Sequence, residues 1–89
     1  MMIQKPVQIV NKLGLHARPA ALVVQQASKF KATIELQSDE LKVNAKSIMG
    51  VMMLAAGYGS TLLVIANGDD AEQAIEAIEA LIQGKFNEE

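Results

Sequence analysis

The last third of the chain carries the feature that most narrows its fold. Ala71, Ala74, Ile75, Ile78, Leu81 and Ile82 recur at steps of three and four, which places them along one side of a helix. Asp69, Asp70, Glu72, Glu76 and Glu79 fall on the outer side, where solvation and capping are their expected roles. A helix with one apolar face needs a surface to cover. The preceding run, Thr61 to Ala66, is unbroken and apolar, the pattern of a central, covered strand. Asn67-Gly68-Asp69 turns the chain between the two. Asp69 or Asp70 is the expected N-cap, with Glu72 as a capping-box partner, and Gly84 suits the C′ position. Glu88 and Glu89 read as a frayed tail.

The rest of the chain alternates in the same way. Gln4 to Val10 reads as a strand with Val7 and Ile9 on one face. Pro6 cannot donate to a ladder, so this strand belongs at an edge or starts near Pro6. Asn11 to Gly14 is a turn. His16 to Lys29 reads as a helix whose start Pro19 fixes near His16 or Ala17, because proline is tolerated only in the first turn. Ala20, Val23, Val24 and Ala27 form its buried stripe, and Gln25, Gln26 and Lys29 its wet side. Ala32 to Ser38 and Leu41 to Ala45 form a hairpin turning at Asp39-Glu40, with Ile34, Leu36, Leu41 and Val43 inward. Ser47 caps a short helix to about Ala55, and Gly57 and Gly59 mark the next turn. The order βαββαβα predicts an α+β open-faced sandwich: a four-stranded, mainly antiparallel sheet covered on one face by three helices.

Composition sets the remaining bounds. Residues 1–89 suffice for one domain. Phe30, Tyr58 and Phe86 are the only aromatics, so an aliphatic core is expected. A net charge of −2 gives no footprint for nucleic acid. The absence of cysteine excludes disulfides, thiol catalysis and Cys-based zinc sites, and it suits a reducing cytoplasm. With one histidine, neither a metal site nor a cofactor is expected. The start Met1 to Pro6 lacks the apolar region of a secretory signal. The run Ile48 to Gly57 falls short of the roughly 20 residues that span a bilayer, so no membrane insertion is expected.

That lone histidine, His16, stands where a glycine-containing turn runs into a helix, with Arg18 and Pro19 just after it. Imidazole is substantially neutral and nucleophilic near pH 7. A helix start offers unpaired N–H groups and the positive end of the dipole, so it favours an anion. A phosphoryl group on His16 would meet the backbone N–H groups of Ala17 and Arg18 and the Arg18 guanidinium. Pro19 gives up only a donor that the first turn leaves spare, and it stiffens the site. A histidine that merely caps the helix fits the same spacing.

Leu13-Gly14-Leu15-His16-Ala17-Arg18-Pro19-Ala20 resembles the active-site motif of the HPr family, the histidine phosphocarriers of the bacterial phosphoenolpyruvate-dependent phosphotransferase system. Ala45-Lys46-Ser47-Ile48-Met49-Gly50-Val51-Met52 resembles that family's second motif, and the likeness runs through the whole chain. The resemblance implies that His16 takes a phosphoryl group on Nδ1 from phospho-enzyme I and passes it to an enzyme IIA-type acceptor. Arg18 then corresponds to the arginine that steadies the phosphate. Ser47 corresponds to the serine phosphorylated by an HPr kinase/phosphorylase, and transcriptional regulators are further partners the resemblance implies. Asn11-Lys12-Leu13-Gly14 and the tail from Gly84 also resemble NPr-type carriers of the nitrogen-related branch.

The helix that Ser47 opens is amphipathic in a second sense. Val51 and Leu54 point one way, and Ile48, Met49 and Met52 cluster opposite, so one apolar face is expected outside the core. Methionines make adaptable contacts. The resemblance places this face, with Leu15, where partner proteins dock. Two other readings compete. One is a regulatory module acting through Ser47 and this patch. Members of that sort lack the active histidine, whereas His16 is present here. The other is a small enzyme with His16 as nucleophile, for which the chain has no second catalytic group of known type.

Overall fold

The computed structural model describes residues 1–87, so the expected tail Glu88-Glu89 lies outside the described residues. The elements are β1 (Met2–Gln8), α1 (Ala17–Ala27), β2 (Thr33–Ser38), β3 (Leu41–Asn44), α2 (Ile48–Met53), β4 (Thr61–Asn67) and α3 (Ala71–Gln83). The strands form one sheet in the order β1-β4-β2-β3, antiparallel throughout. This is the expected α+β open-faced sandwich. The apolar run of β4 takes a central place, and Pro6 lies on the edge strand β1, opposite Leu63. An edge tolerates the missing N–H.

Strand alternation divides the sheet into two faces. Val7, Ile34, Leu36, Val43, Leu62, Val64 and Ala66 are buried in one core cluster with Val23, Ala27, Ala74, Ile75 and Ile78 of the helices. The opposite face carries Leu63 and Ile65 among Gln4, Pro6, Glu35 and Gln37. So β4 is covered by helices on one face only. Ile65 is buried but lies outside the core cluster. Leu41 shares the inward parity of Val43, yet it stands opposite Ser38 at the hairpin tip and is exposed.

Three further expectations change. The core is not purely aliphatic, because Phe86 is its largest fully buried side chain. Gly84 takes φ −79 at the end of α3, and the left-handed turn falls instead on Lys85, Phe86 and Asn87, with φ 58, 55 and 62. That turn folds Phe86 back under the helices. Asp70 does occupy the N-cap position of α3, but its side chain makes no capping bond. Its carboxylate instead accepts from the N–H groups of Lys31 (2.9 Å) and Ala32 (2.8 Å). These bonds hold it below the ordinary carboxylate pKa.

The same loop is fastened again where Lys46 Nζ donates to the Phe30 carbonyl at 2.7 Å. On the helix side of the sheet, Lys5 of β1 pairs with Glu79 of α3 at 2.7 Å. Such a surface pair contributes little to stability. Among the described residues, no helix is long and apolar enough to cross a membrane.

Candidate functional site

The site begins with a turn. Gly14 N–H donates to the Asn11 carbonyl at 3.1 Å, and Gly14 takes φ 72. A Cβ on Gly14 would lie 2.7 Å from the Ala56 carbonyl oxygen, so only glycine lets the turn approach the segment after α2 so closely. Leu15 N–H then donates to that Ala56 carbonyl at 2.8 Å. The chain emerges at His16 in an extended conformation (φ −97, ψ −168), and α1 starts at Ala17.

His16 is therefore the N-cap residue of α1. Its carbonyl accepts from Ala20 N–H at 2.9 Å, and its side chain makes no capping bond to the helix. The half-buried imidazole stands beside Ala17 and Arg18, both exposed. The N–H groups of Ala17 and Arg18 belong to the first turn, which has no intrahelical acceptors for them. Pro19, fully buried, occupies the third helical position, where its missing donor breaks no ladder bond. The arrangement can hold an oxyanion beside a nucleophilic ring nitrogen, at a place a second protein can reach. Among the described residues, no group of three His, Cys, Asp or Glu side chains is placed to hold a metal ion.

Ser47 lies at the start of α2, extended (φ −113, ψ 116), and its Oγ accepts from Gly50 N–H at 3.2 Å. Along α2, Val51 and Leu54 are buried while Ile48, Met49 and Met52 are exposed, Met49 by 75%. Met53, at 66%, joins them. The α2 face and the His16 turn are neighbours, because Ala56, just past α2, bonds the residue before His16. Leu15 does not belong to this surface. It is 5% exposed and part of the core, whereas Leu13, 74% exposed, is the leucine that faces outward.

Sequence reasoning missed Leu13, Met53 and Asn11. Met53 was within reach, since it stands four residues after Met49 on the same helix. Leu13 and Leu15 are alike in hydrophobicity, and only their burial in the fold separates them. Asn11 reads as an ordinary turn former. It is the sole buried polar residue among those described, and its Nδ2 donates to the Gly14 carbonyl at 2.8 Å.

The fold and site define a small α+β domain that presents a histidine and an arginine at the start of a helix beside an exposed apolar face. A family model described as the PTS HPr component phosphorylation site matches residues 3–84. The chain is 54% identical to the phosphocarrier protein HPr of Treponema pallidum, over 99% of this chain and 100% of that one. It is 51% identical to the HPr-like protein Crh of Halalkalibacterium halodurans, over 92% of this chain and 98% of that one. The crystal structure of HPr from Thermoanaerobacter tengcongensis superposes with a TM-score of 0.93 at 53% identity, covering 98% of both chains. The chain belongs to the HPr family, the phosphocarrier proteins of the phosphotransferase system.

Proposed function

We propose that His16 is the residue that carries the phosphoryl group, received from phospho-enzyme I and delivered to the histidine or cysteine of an enzyme II component. The observation that carries this reading is the half-buried His16 at the extended N-cap of α1, with a side chain not engaged in capping and first-turn N–H groups beside it. A neutral ring nitrogen attacks phosphorus as the bond to the donor's nitrogen breaks, and the transferred group stays anionic throughout. Ala17 N–H, Arg18 N–H and the Arg18 guanidinium stabilise its oxygens. Pro19 fixes the first turn that aims them. The exposed site leaves the far side of phosphorus open for in-line transfer to the next protein. Ile48, Met49 and Met52, with Met53 and Leu13, form the surface on which donor and acceptor dock in turn.

Intact-mass spectrometry after incubation with phosphoenolpyruvate and enzyme I tests this reading. The expected result is one acid-labile phosphoryl addition, lost in His16→Ala, whose fold is unchanged. Equal labelling of His16→Ala would remove the assignment.

A second role is favoured by the similarity to an HPr-like protein Crh and by the half-buried Ser47 at the start of α2. Phosphorylation of Ser47 by an ATP-dependent kinase adds about −1.5 to −2 charge beside the docking face. That charge favours the helix start and repels acidic partner surfaces. This modification is acid-stable, so the same spectra separate it from phosphohistidine.

A further inference from the structure

We infer that Asn11 is a positioning residue for His16, acting through the carbonyl of Gly14. The inference rests on the reading of His16 as the phosphoryl-carrying residue and deepens it. Two donors converge on the Gly14 carbonyl oxygen: Asn11 Nδ2 at 2.8 Å and the backbone N–H of His16 itself at 3.1 Å. The first comes from a side chain that is 0% exposed, and the second from the residue whose ring must be aimed. The backbones of Asn11 and Gly14 are joined as well, through Gly14 N–H and the Asn11 carbonyl at 3.1 Å. Asn11 therefore holds both the amide and the carbonyl of Gly14. The peptide plane between Gly14 and Leu15 is fixed on one side by Asn11 and on the other by the Leu15–Ala56 bond.

A buried amide is an unusual choice in this core, where the other buried side chains among the described residues are apolar. A buried polar group is retained at the expense of desolvation, and its hydrogen bond then specifies one arrangement of the surrounding backbone. An apolar side chain would remove the Nδ2 tie on the Gly14 carbonyl and leave the Gly14–Leu15 peptide plane held only by its backbone bonds, so that it can tilt. Small errors at that peptide move the His16 Cα and its ring together. Geometric errors of this size matter in group transfer, where a misplacement of about 1 Å lowers rates by up to about a hundredfold.

The test uses Asn11→Leu, which keeps the branched shape and loses the donor, and Asn11→Ser, whose short hydroxyl does not reach Gly14. Val23→Ala, in the core about two helical turns along α1 from His16, serves as a control for lost stability alone. Phosphoryl transfer from phospho-enzyme I is measured well below every melting temperature and split into kcat and KM. Ring resonances of His16 are recorded by NMR in the unphosphorylated proteins. Expected for the Asn11 variants is a fall in kcat of about tenfold or more, with KM within about twofold, and displaced His16 ring resonances. Val23→Ala should keep the wild-type kcat and resonances. Wild-type kcat and resonances in the Asn11 variants would overturn the inference, as would equal losses in the control. If Asn11→Leu does not fold, Asn11→Ser is read in its place. If the wild-type protein itself accepts no phosphate, the reading of His16 falls, and the ring resonances alone decide whether Asn11 positions it.

Discussion

Gly14 shows how much of the site depends on single residues around His16. Its φ of 72 is open to glycine, and a methyl group there would press on the Ala56 carbonyl at 2.7 Å and on Gly57 Cα at 2.9 Å. Backbone cannot step aside as a flexible side chain can. Gly14→Ala is expected to destabilise the protein by about 1–3 kcal/mol. In a domain of this size, that lowers the melting temperature by about 5 °C or more, measurable by calorimetry. An unchanged melting temperature would show that the turn can relax away from α2. The helix start was legible from spacing, because Pro19 is tolerated only in a first turn, whereas the chemistry assigned to His16 and Arg18 came from the resemblance of the motif, since a merely capping histidine fits the same spacing. The residues that aim them were not legible. Whether Asn11 faces water or core, and which of Leu13 and Leu15 turns inward, depends on contacts with the segment after α2, far away in sequence.

At the scale of elements, period decided what formed and long-range contacts decided where it ended. The stripes in α1 and α3 and the alternation in β2 follow directly from side-chain spacing. The capping of α3 does not. Asp70 has the right residue type for a cap, but two backbone donors of the loop before β2 claim its carboxylate. At α2 the local signal prevails, because Ser47 Oγ meets Gly50 N–H within its own first turn. Ser47→Ala removes that acceptor and is expected to lower stability by about 1 kcal/mol in urea titration. Ser47→Asp keeps a capping oxygen and is expected to stay within about 0.5 kcal/mol of wild type. The same Asp variant should slow phosphoryl transfer from enzyme I, because the added charge lies on the docking face. A variant that loses stability while transferring at the wild-type rate would reverse both roles assigned to Ser47.

The whole molecule is closed by ties that join its ends to its middle. Phe86 anchors the C-terminal turn in the core, and Lys46 and Asp70 hold the loop between α1 and β2 from two sides. The strand order β1-β4-β2-β3 belongs to this scale, since apolar strands of similar length offer several pairings until the helices choose one face. Asp70 makes one of these ties depend on pH. The N–H groups of Lys31 and Ala32 favour its ionised form and lower its folded-state pKa from the ordinary 3.8. A carboxylate whose pKa falls on folding adds stability above its unfolded value. That stability is lost as pH drops below 3.8 and through the lower folded value. Asp70→Asn has no charge to lose and replaces one acceptor oxygen with a donor. It should therefore be less stable than wild type at neutral pH. Urea midpoints followed from neutral pH to about pH 2 should show the two proteins converging on the acid side, because wild type alone loses the contribution of this charge. A gap that stays constant through that range would mean that the charge of Asp70 adds nothing to the tie on the loop.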